Sequence, residues 1–163
     1  MSTTALFRLA VIVLLSAALG SCKQSVVYEE TFEIDPQQGW PYADSLTYAF
    51  SIADTQQLYN LYLTLDHLVD YPYQNLYINI RTVFPDGKDL AQVLSLELSD
   101  KQGFWQGDCN SEDCELRIPI QEEAYFNQPG DYRIVVEQYM RTDSLRGLQS
   151  IGLQLEKTGE TRG

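Results

Sequence analysis

Histidine is nearly missing from this chain. His67 is the only one, so a Ser-His-Asp relay would have a single candidate base. No serine stands in a Gly-x-Ser-x-Gly turn that would supply a strained nucleophile. His67 closes the apolar stretch of "TLDHLVDYP", where a lone imidazole reads as a surface or turn group. Positive charge is also scarce: 11 Lys and Arg stand against 23 Asp and Glu, for a formal net charge of −12. A surface of that sign repels nucleic acid and anionic headgroups, which excludes basic-patch functions and leaves solubility as its plain meaning. A glycine-rich phosphate loop is absent. Carboxylates are abundant, and counting them leaves a glycosidase-like acid and base pair open without saying which two would face each other. The acidic stretch "DCNSEDCE" lacks the spaced Asp, Asn and Gly order of an EF-hand loop, so its acids read as solvated.

Long hydrophobic runs are absent too. The most apolar one, Leu9 to Leu19, would make a helix of about 16 Å, against a hydrocarbon core near 30 Å. Arg8 precedes it, and Leu19-Gly20-Ser21-Cys22 follows. A basic start, a short apolar stretch and small residues describe a secretory leader, not a membrane span. The order Leu-Gly-Ser-Cys resembles the lipobox of bacterial lipoproteins, in which the cysteine is acylated and becomes the mature N-terminus. The alternative is an ordinary leader with an incidental cysteine. Buried acyl chains contribute about 0.8 kcal/mol per methylene, so two or three of them hold permanently where one holds marginally. Cys22 is thus expected to be a lipid anchor and not a nucleophile.

Cysteine occurs three times. With Cys22 assigned to lipid, Cys109 and Cys114 remain, inside "GDCNSEDCE". In an oxidising envelope such a pair reads as a local disulfide worth about 2 kcal/mol before strain. Free thiols are the second reading. A metal site is the weakest, because no further Cys or His stands nearby.

The rest of the chain alternates with period two. "SLTYAFSI" sets Leu46, Tyr48, Phe50 and Ile52 against Thr47, Ala49 and Ser51. "YNLYLTLDH" sets Tyr59, Leu61, Leu63 and Leu65 against Asn60, Tyr62, Thr64 and Asp66. "NLYINIRTVF", "LAQVLSLEL", "CELRIPI", "YRIVVEQYM" and "SIGLQLEK" repeat the rhythm of half-buried strands. Asp70-Tyr71-Pro72-Tyr73 and Pro85-Asp86-Gly87 are turns, and Pro119 marks an edge or a strand end. Gln121 to Phe126 is expected to form one short helical turn. The 11 tyrosines and 6 phenylalanines fit pleated, half-buried surfaces. These signs predict an all-β, antiparallel, jelly-roll-like β-sandwich of roughly eight to nine strands. The expected organisation is a cleaved leader over 1–21, a tether over 22–25 from Cys22, one sandwich over 26–157 and a disordered tail over 158–163.

Three blocks are more specific than a generic sandwich. "YNLYLTLDHLVDYPYQNLYINI" (59–80), "GFWQG" (103–107) and "GDYRIVVEQYMRTDSLRGLQSIGLQLEK" (130–157), in this order behind a lipobox, resemble the GldH-type gliding-motility lipoproteins. That resemblance implies an outer-membrane lipoprotein, its domain on the periplasmic side, needed for gliding motility and linked to the envelope machinery of type IX secretion. The family pattern after the Trp-x-Gly block is glycine-rich and need not carry cysteines. Any Cys109–Cys114 disulfide is therefore a feature of this chain and not of the shared function.

The resulting expectation is a non-enzymatic scaffold with no cofactor beyond covalent lipid, such as palmitate, on Cys22. Its partners would be the membrane and other gliding or secretion proteins, with no nucleic acid and no metal. The competing readings are a lipid-anchored carbohydrate-binding module and a surface hydrolase. Candidate partner-binding residues are Tyr71, Tyr73, Trp105 and Arg141, within or beside the Tyr-Pro-Tyr and Gln138-Tyr139-Met140-Arg141 blocks. Each has a structural alternative: Tyr71 and Tyr73 as a turn, Trp105 as a cover over an open end, Met140 as core. Arg141, a charge ending an apolar strand, either reaches solvent or pairs with a carboxylate.

Overall fold

The computed structural model describes residues 25–163. The leader expected over 1–21 and the lipidation call at Cys22 lie outside them. The strands are β1 (Ser25–Glu33), β2 (Trp40–Pro41), β3 (Ser45–Ile52), β4 (Gln57–Leu68), β5 (Asn75–Val83), β6 (Asp89–Glu97), β7 (Asp108–Cys109), β8 (Asp113–Ala124), β9 (Gly130–Gln138), β10 (Ser144–Leu145) and β11 (Leu148–Thr161). Three of these 11 are two-residue pieces, which leaves eight long strands. All pairings are antiparallel. One sheet runs β1-β11-β4-β8-β7 and the other β3-β9-β5-β6, with β10-β2 as a small clasp. Among the long strands, sheet membership changes in the alternating way that defines a jelly roll.

Alternation built these sheets. In β3, Tyr48, Phe50 and Ile52 are buried while Thr47, Ala49 and Ser51 are exposed. Leu63 and Leu65 of β4, Ile78 and Ile80 of β5, Ile134 and Val136 of β9, and Ile151 and Leu153 of β11 complete the interior. The Tyr48 hydroxyl crosses between the sheets and donates to the Ile151 carbonyl at 2.8 Å. Burial pushes this phenol's pKa upward, so it stays a neutral donor.

Four expectations need correction. The segment 121–126 is not a helical turn. β8 continues to Ala124, and a bulge at Glu123 (φ 52°) is held by its N–H donating to Asn60 Oδ1 at 2.9 Å. The tail does not fray at 158, because β11 continues to Thr161. Thr158 Oγ1 donates to Leu58 O at 3.3 Å, Gln57 Nε2 to Glu160 O at 2.7 Å, and Arg162 N to Gln56 O at 2.7 Å. β4 is buried on both faces over Tyr59–Leu63, not half-buried. On its outer side the Arg117 guanidinium stacks 3.4 Å from the Tyr62 ring and pairs with Glu156 at 2.9 Å. His67 is no surface group, as described below.

Pro119 sits on β8 beyond the reach of β7, where β8 is the outer strand of its sheet, so its missing N–H interrupts no ladder. Cys109 and Cys114 face each other across the β7–β8 hairpin with their sulfurs bonded at 2.09 Å. Gly107, just before that hairpin, has φ +87°, and a Cβ there would lie 2.2 Å from the Glu115 carbonyl oxygen. Only glycine fits.

A candidate binding end

The jelly roll places four connections at one end: 34–44, 69–74, 98–112 and 139–147. Tyr71, Tyr73, Trp105 and Arg141 all lie in these loops. Ser25, where the described chain begins, is paired with Lys157 at the opposite end. β1 separates the two ends by about 30 Å.

The four candidates are not equivalent. Tyr71 is 3% exposed and so is no docking residue in this conformation. Its ring lies 5.5 Å from that of His67, 5.7 Å from that of Tyr73 and 6.4 Å from that of Trp105. Trp105 is half-buried, meets the His67 ring edge-on at 4.6 Å, and donates Nε1–H to the Val69 carbonyl at 3.0 Å. It covers the end of the core. Tyr73, 39% exposed, forms the outer rim.

His67 is the residue that sequence reasoning misplaced. It is fully buried beneath Trp105 and Tyr71, with Nδ1 2.8 Å from the Leu68 carbonyl. Position 67 opposes Cys114 and Leu148 in the ladders, so both neighbouring strands enclose it. The only hint in the sequence is that its alternation places it with Leu63 and Leu65. Among the described residues, Nε2 of His67 and the hydroxyl of Tyr71 have no hydrogen-bond partner. A catalytic relay would bond that nitrogen to a hydroxyl.

Desolvation lowers the imidazole pKa below its ordinary value, outweighing the Leu68 carbonyl and the Asp66 charge, which raise it. Unfolded chains therefore take up a proton near pH 6.5 that folded chains refuse. Stability from this group is present above that value and falls as the pH drops toward the lowered native value. Denaturant titrations at pH 7.5 and 5.5 should show that loss in the wild type and a smaller one in His67→Gln. Equal pH dependence in both proteins would refute it.

Arg141 stands apart. It is exposed and has no ion pair among the described residues. It lines an open depression of about 400 Å³ with Tyr42, Tyr139 and Asp143. Tyr42 and Tyr139 are each 53% exposed, and neither was singled out individually from the sequence. The turn that presents Tyr139 and Arg141 is braced by side-chain hydrogen bonds. Buried Gln138 donates from Nε2 to the Thr142 carbonyl at 3.0 Å and accepts from Met140 N–H at 3.0 Å. Met140 is buried, and its sulfur accepts from Tyr77 N–H at 3.3 Å. In the Glu-Gln-x-Met-Arg block, then, Gln138 and Met140 shape the turn while Tyr139 and Arg141 face outward.

The Asp35 and Asp86 carboxyls are both held below the ordinary carboxylate range. Backbone N–H donors of Gln37 and Gln38 act on Asp35, and the Lys88 side chain and amide act on Asp86. A glycosidase acid needs the opposite shift. No cluster of three or more His, Cys, Asp or Glu suited to a metal occurs among the described residues. No helix among them is long and apolar enough to cross a membrane.

Comparison with known proteins gives this arrangement its relatives. The model of the GldH lipoprotein family matches residues 26–155, which spans the sandwich from β1 into β11. The chain belongs to the GldH lipoprotein family. It is 25% identical over 145 residues to the "Gliding motility lipoprotein GldH homolog" of Christiangramia forsetii, covering 85% of this chain and 88% of that protein. To the "Gliding motility lipoprotein GldH" of Flavobacterium johnsoniae it is 21% identical over 154 residues, covering 90% and 94%. Among solved structures, a chain of the T13 IBDV viral particle aligns with a TM-score of 0.37 and 10% identity over 81% of this chain and 32% of that one, too loosely to bear on function. For this GldH-family chain the shared region covers the four-loop end, including the Gln138 turn.

Proposed function

We propose that this GldH-family chain is a lipid-anchored lipoprotein of the bacterial outer membrane, required for gliding motility, that holds or stabilises proteins of the gliding and type IX secretion machinery without catalysis. Acyl chains on Cys22 would fix the end of the sandwich that bears Ser25. The observation that carries the reading is the polarity of the fold: the described chain starts at one end, and the exposed aromatic loops crowd the other. A domain tethered in this way turns Tyr42, Tyr73, Tyr139 and Arg141 away from the bilayer, toward periplasmic partners. Tyrosine and arginine are the residue types that dominate binding hot spots.

The test is retention of partners by tagged lipoprotein from detergent-solubilised envelopes. The wild type should retain a motility or secretion component. Tyr139→Ala combined with Arg141→Ala should retain about tenfold less or lower still, with an unchanged melting temperature because both side chains are exposed. Retention of no such component by the wild type would defeat the proposal.

A further inference from the structure

Four long strands form the sheet edges, and three are blunted in the usual ways. β1 has a register shift between Val26 and Tyr28 and carries Glu29, Glu30 and Glu33. β3 has one of its outward groups taken, the Ala49 N–H, which donates to the Tyr28 hydroxyl of β1 at 3.1 Å. β8 is interrupted by Pro119, by two register shifts against Tyr59–Tyr62 and by the bulge at Glu123. β6 has no bulge and no proline, its nine residues pair with β5 without a shift, and its only charges, Asp89 and Glu97, stand at its two ends.

The phase of its ladder is fixed at both ends. Phe84 N–H bonds to Lys88 O at 2.8 Å and Leu98 N–H to Gln74 O at 2.9 Å. Even-numbered residues of β6 therefore bond to β5, and the N–H and C=O groups of Asp89, Ala91, Val93, Ser95 and Glu97 point away from the sheet. Side chains add a second observation. Leu96 and Leu98 are buried, but Leu90, on the same face of the strand, is 64% exposed. An inward-facing leucine is bare because β6 and β8 part there. The gap is a groove of about 220 Å³ lined by Leu61, Ile80, Phe84, Leu90, Ile120 and Phe126. That is smaller than the roughly 300–1,000 Å³ of small-molecule sites and suits individual apolar side chains.

We infer that β6 is the docking edge for an extended segment of another protein, which adds a strand to the β3-β9-β5-β6 sheet and sets apolar side chains into the groove beside Leu90. The inference rests on the partner-holding reading above and gives it a second, separate surface. Charge selects the occupant. A second copy pairing antiparallel along all of β6 would place Asp89 opposite Glu97 at both ends, and like charges in that position destabilise a ladder. A segment with Lys or Arg at its two ends would face these acids favourably. Asp89 otherwise meets only Arg81, at 4.0 Å, and Glu97 has no ion pair among the described residues. Backbone pairing supplies affinity, and alternate side chains supply choice, as in other strand additions.

Hydrogen–deuterium exchange on the full-length lipoprotein in detergent micelles tests this with the synthetic peptide Lys-Val-Thr-Val-Ser-Val-Thr-Val-Lys. Exchange should slow at Ala91, Val93 and Ser95 and stay unchanged at Gln92 and Leu94, whose amides are already bonded. The same peptide with glutamates at its ends should have no effect. Val93→Pro removes one outward N–H and leaves the β5 ladder intact. It should weaken peptide binding about tenfold, while Val93→Thr binds as the wild type does. No slowing at the three amides, or equal slowing without peptide as protein concentration rises, overturns the inference. These readouts do not involve gliding, so their failure leaves the proposed function standing, and loss of that function leaves them intact.

Discussion

Replacing Tyr71 with alanine is expected to lower the melting temperature by about 10–15 °C, corresponding to about 3–5 kcal/mol for a large aromatic removed from a packed interior. Tyr71 is the third residue of the loop after β4, where its N–H donates to the Leu68 carbonyl at 3.0 Å and its ring is buried. There it fills the space between His67, Trp105 and Tyr73, and Gly147 lies so close that a Cβ would sit 3.1 Å from Tyr71 Cδ2. Little of that space can collapse, because strands enclose His67 on both sides. The hydroxyl behaves differently from the ring. It is buried without a partner, so Tyr71→Phe removes an unsatisfied group and should be neutral or stabilising by up to about 1 kcal/mol. Tyr73→Ala, at the exposed rim, should stay within about 0.5 kcal/mol. Thermal melts of the three variants check the ordering. A Tyr71→Ala protein that melts like the wild type would show that the cluster does not support this end of the fold.

Cys22→Ala is expected to move the protein from the membrane pellet to the soluble envelope fraction almost completely, and to abolish colony spreading. The effect is large because attachment would depend on one residue. Two or three acyl chains, each methylene worth about 0.8 kcal/mol, bind a bilayer in a way that no weak surface contact replaces. The rest of the molecule offers little substitute, since its net charge of −12 gives anionic lipid nothing to attract. Fractionation and a spreading assay of the same strain check both halves. Full spreading by a soluble form would mean that the domain works without its tether.

The sandwich was legible because its inward residues alternate so regularly: Tyr48, Phe50 and Ile52 in β3, or Ile134 and Val136 in β9, identify their own faces. Period two falls silent where both faces are covered. Asn60 and Tyr62 look like solvent positions, yet Asn60 braces the Glu123 bulge and Tyr62 lies under Arg117. The last strand continues past Lys157 through a shift in register and Gly159 at φ +85°, and such a break in pattern reads as a frayed end. Its partners, Gln56 to Leu58, are a hundred residues away in sequence. The 69–74 loop is legible from its Asp-Tyr-Pro-Tyr turn, but "YRIVVEQYM" reads as strand through Met140 and hides the start of the 139–147 loop. β9 ends at Gln138, whose side chain braces the turn that leaves Tyr139 exposed, while Tyr71 is buried against His67.

The most direct measurement is intact and peptide mass spectrometry of the lipoprotein purified from native membranes. The predicted product begins at Cys22, with residues 1–21 removed and the mass of two or three fatty acyl chains on its sulfur and amine. A mature chain with a free thiol at Cys22, recovered in periplasmic washes, would contradict the proposal that this GldH-family sandwich works from the membrane surface.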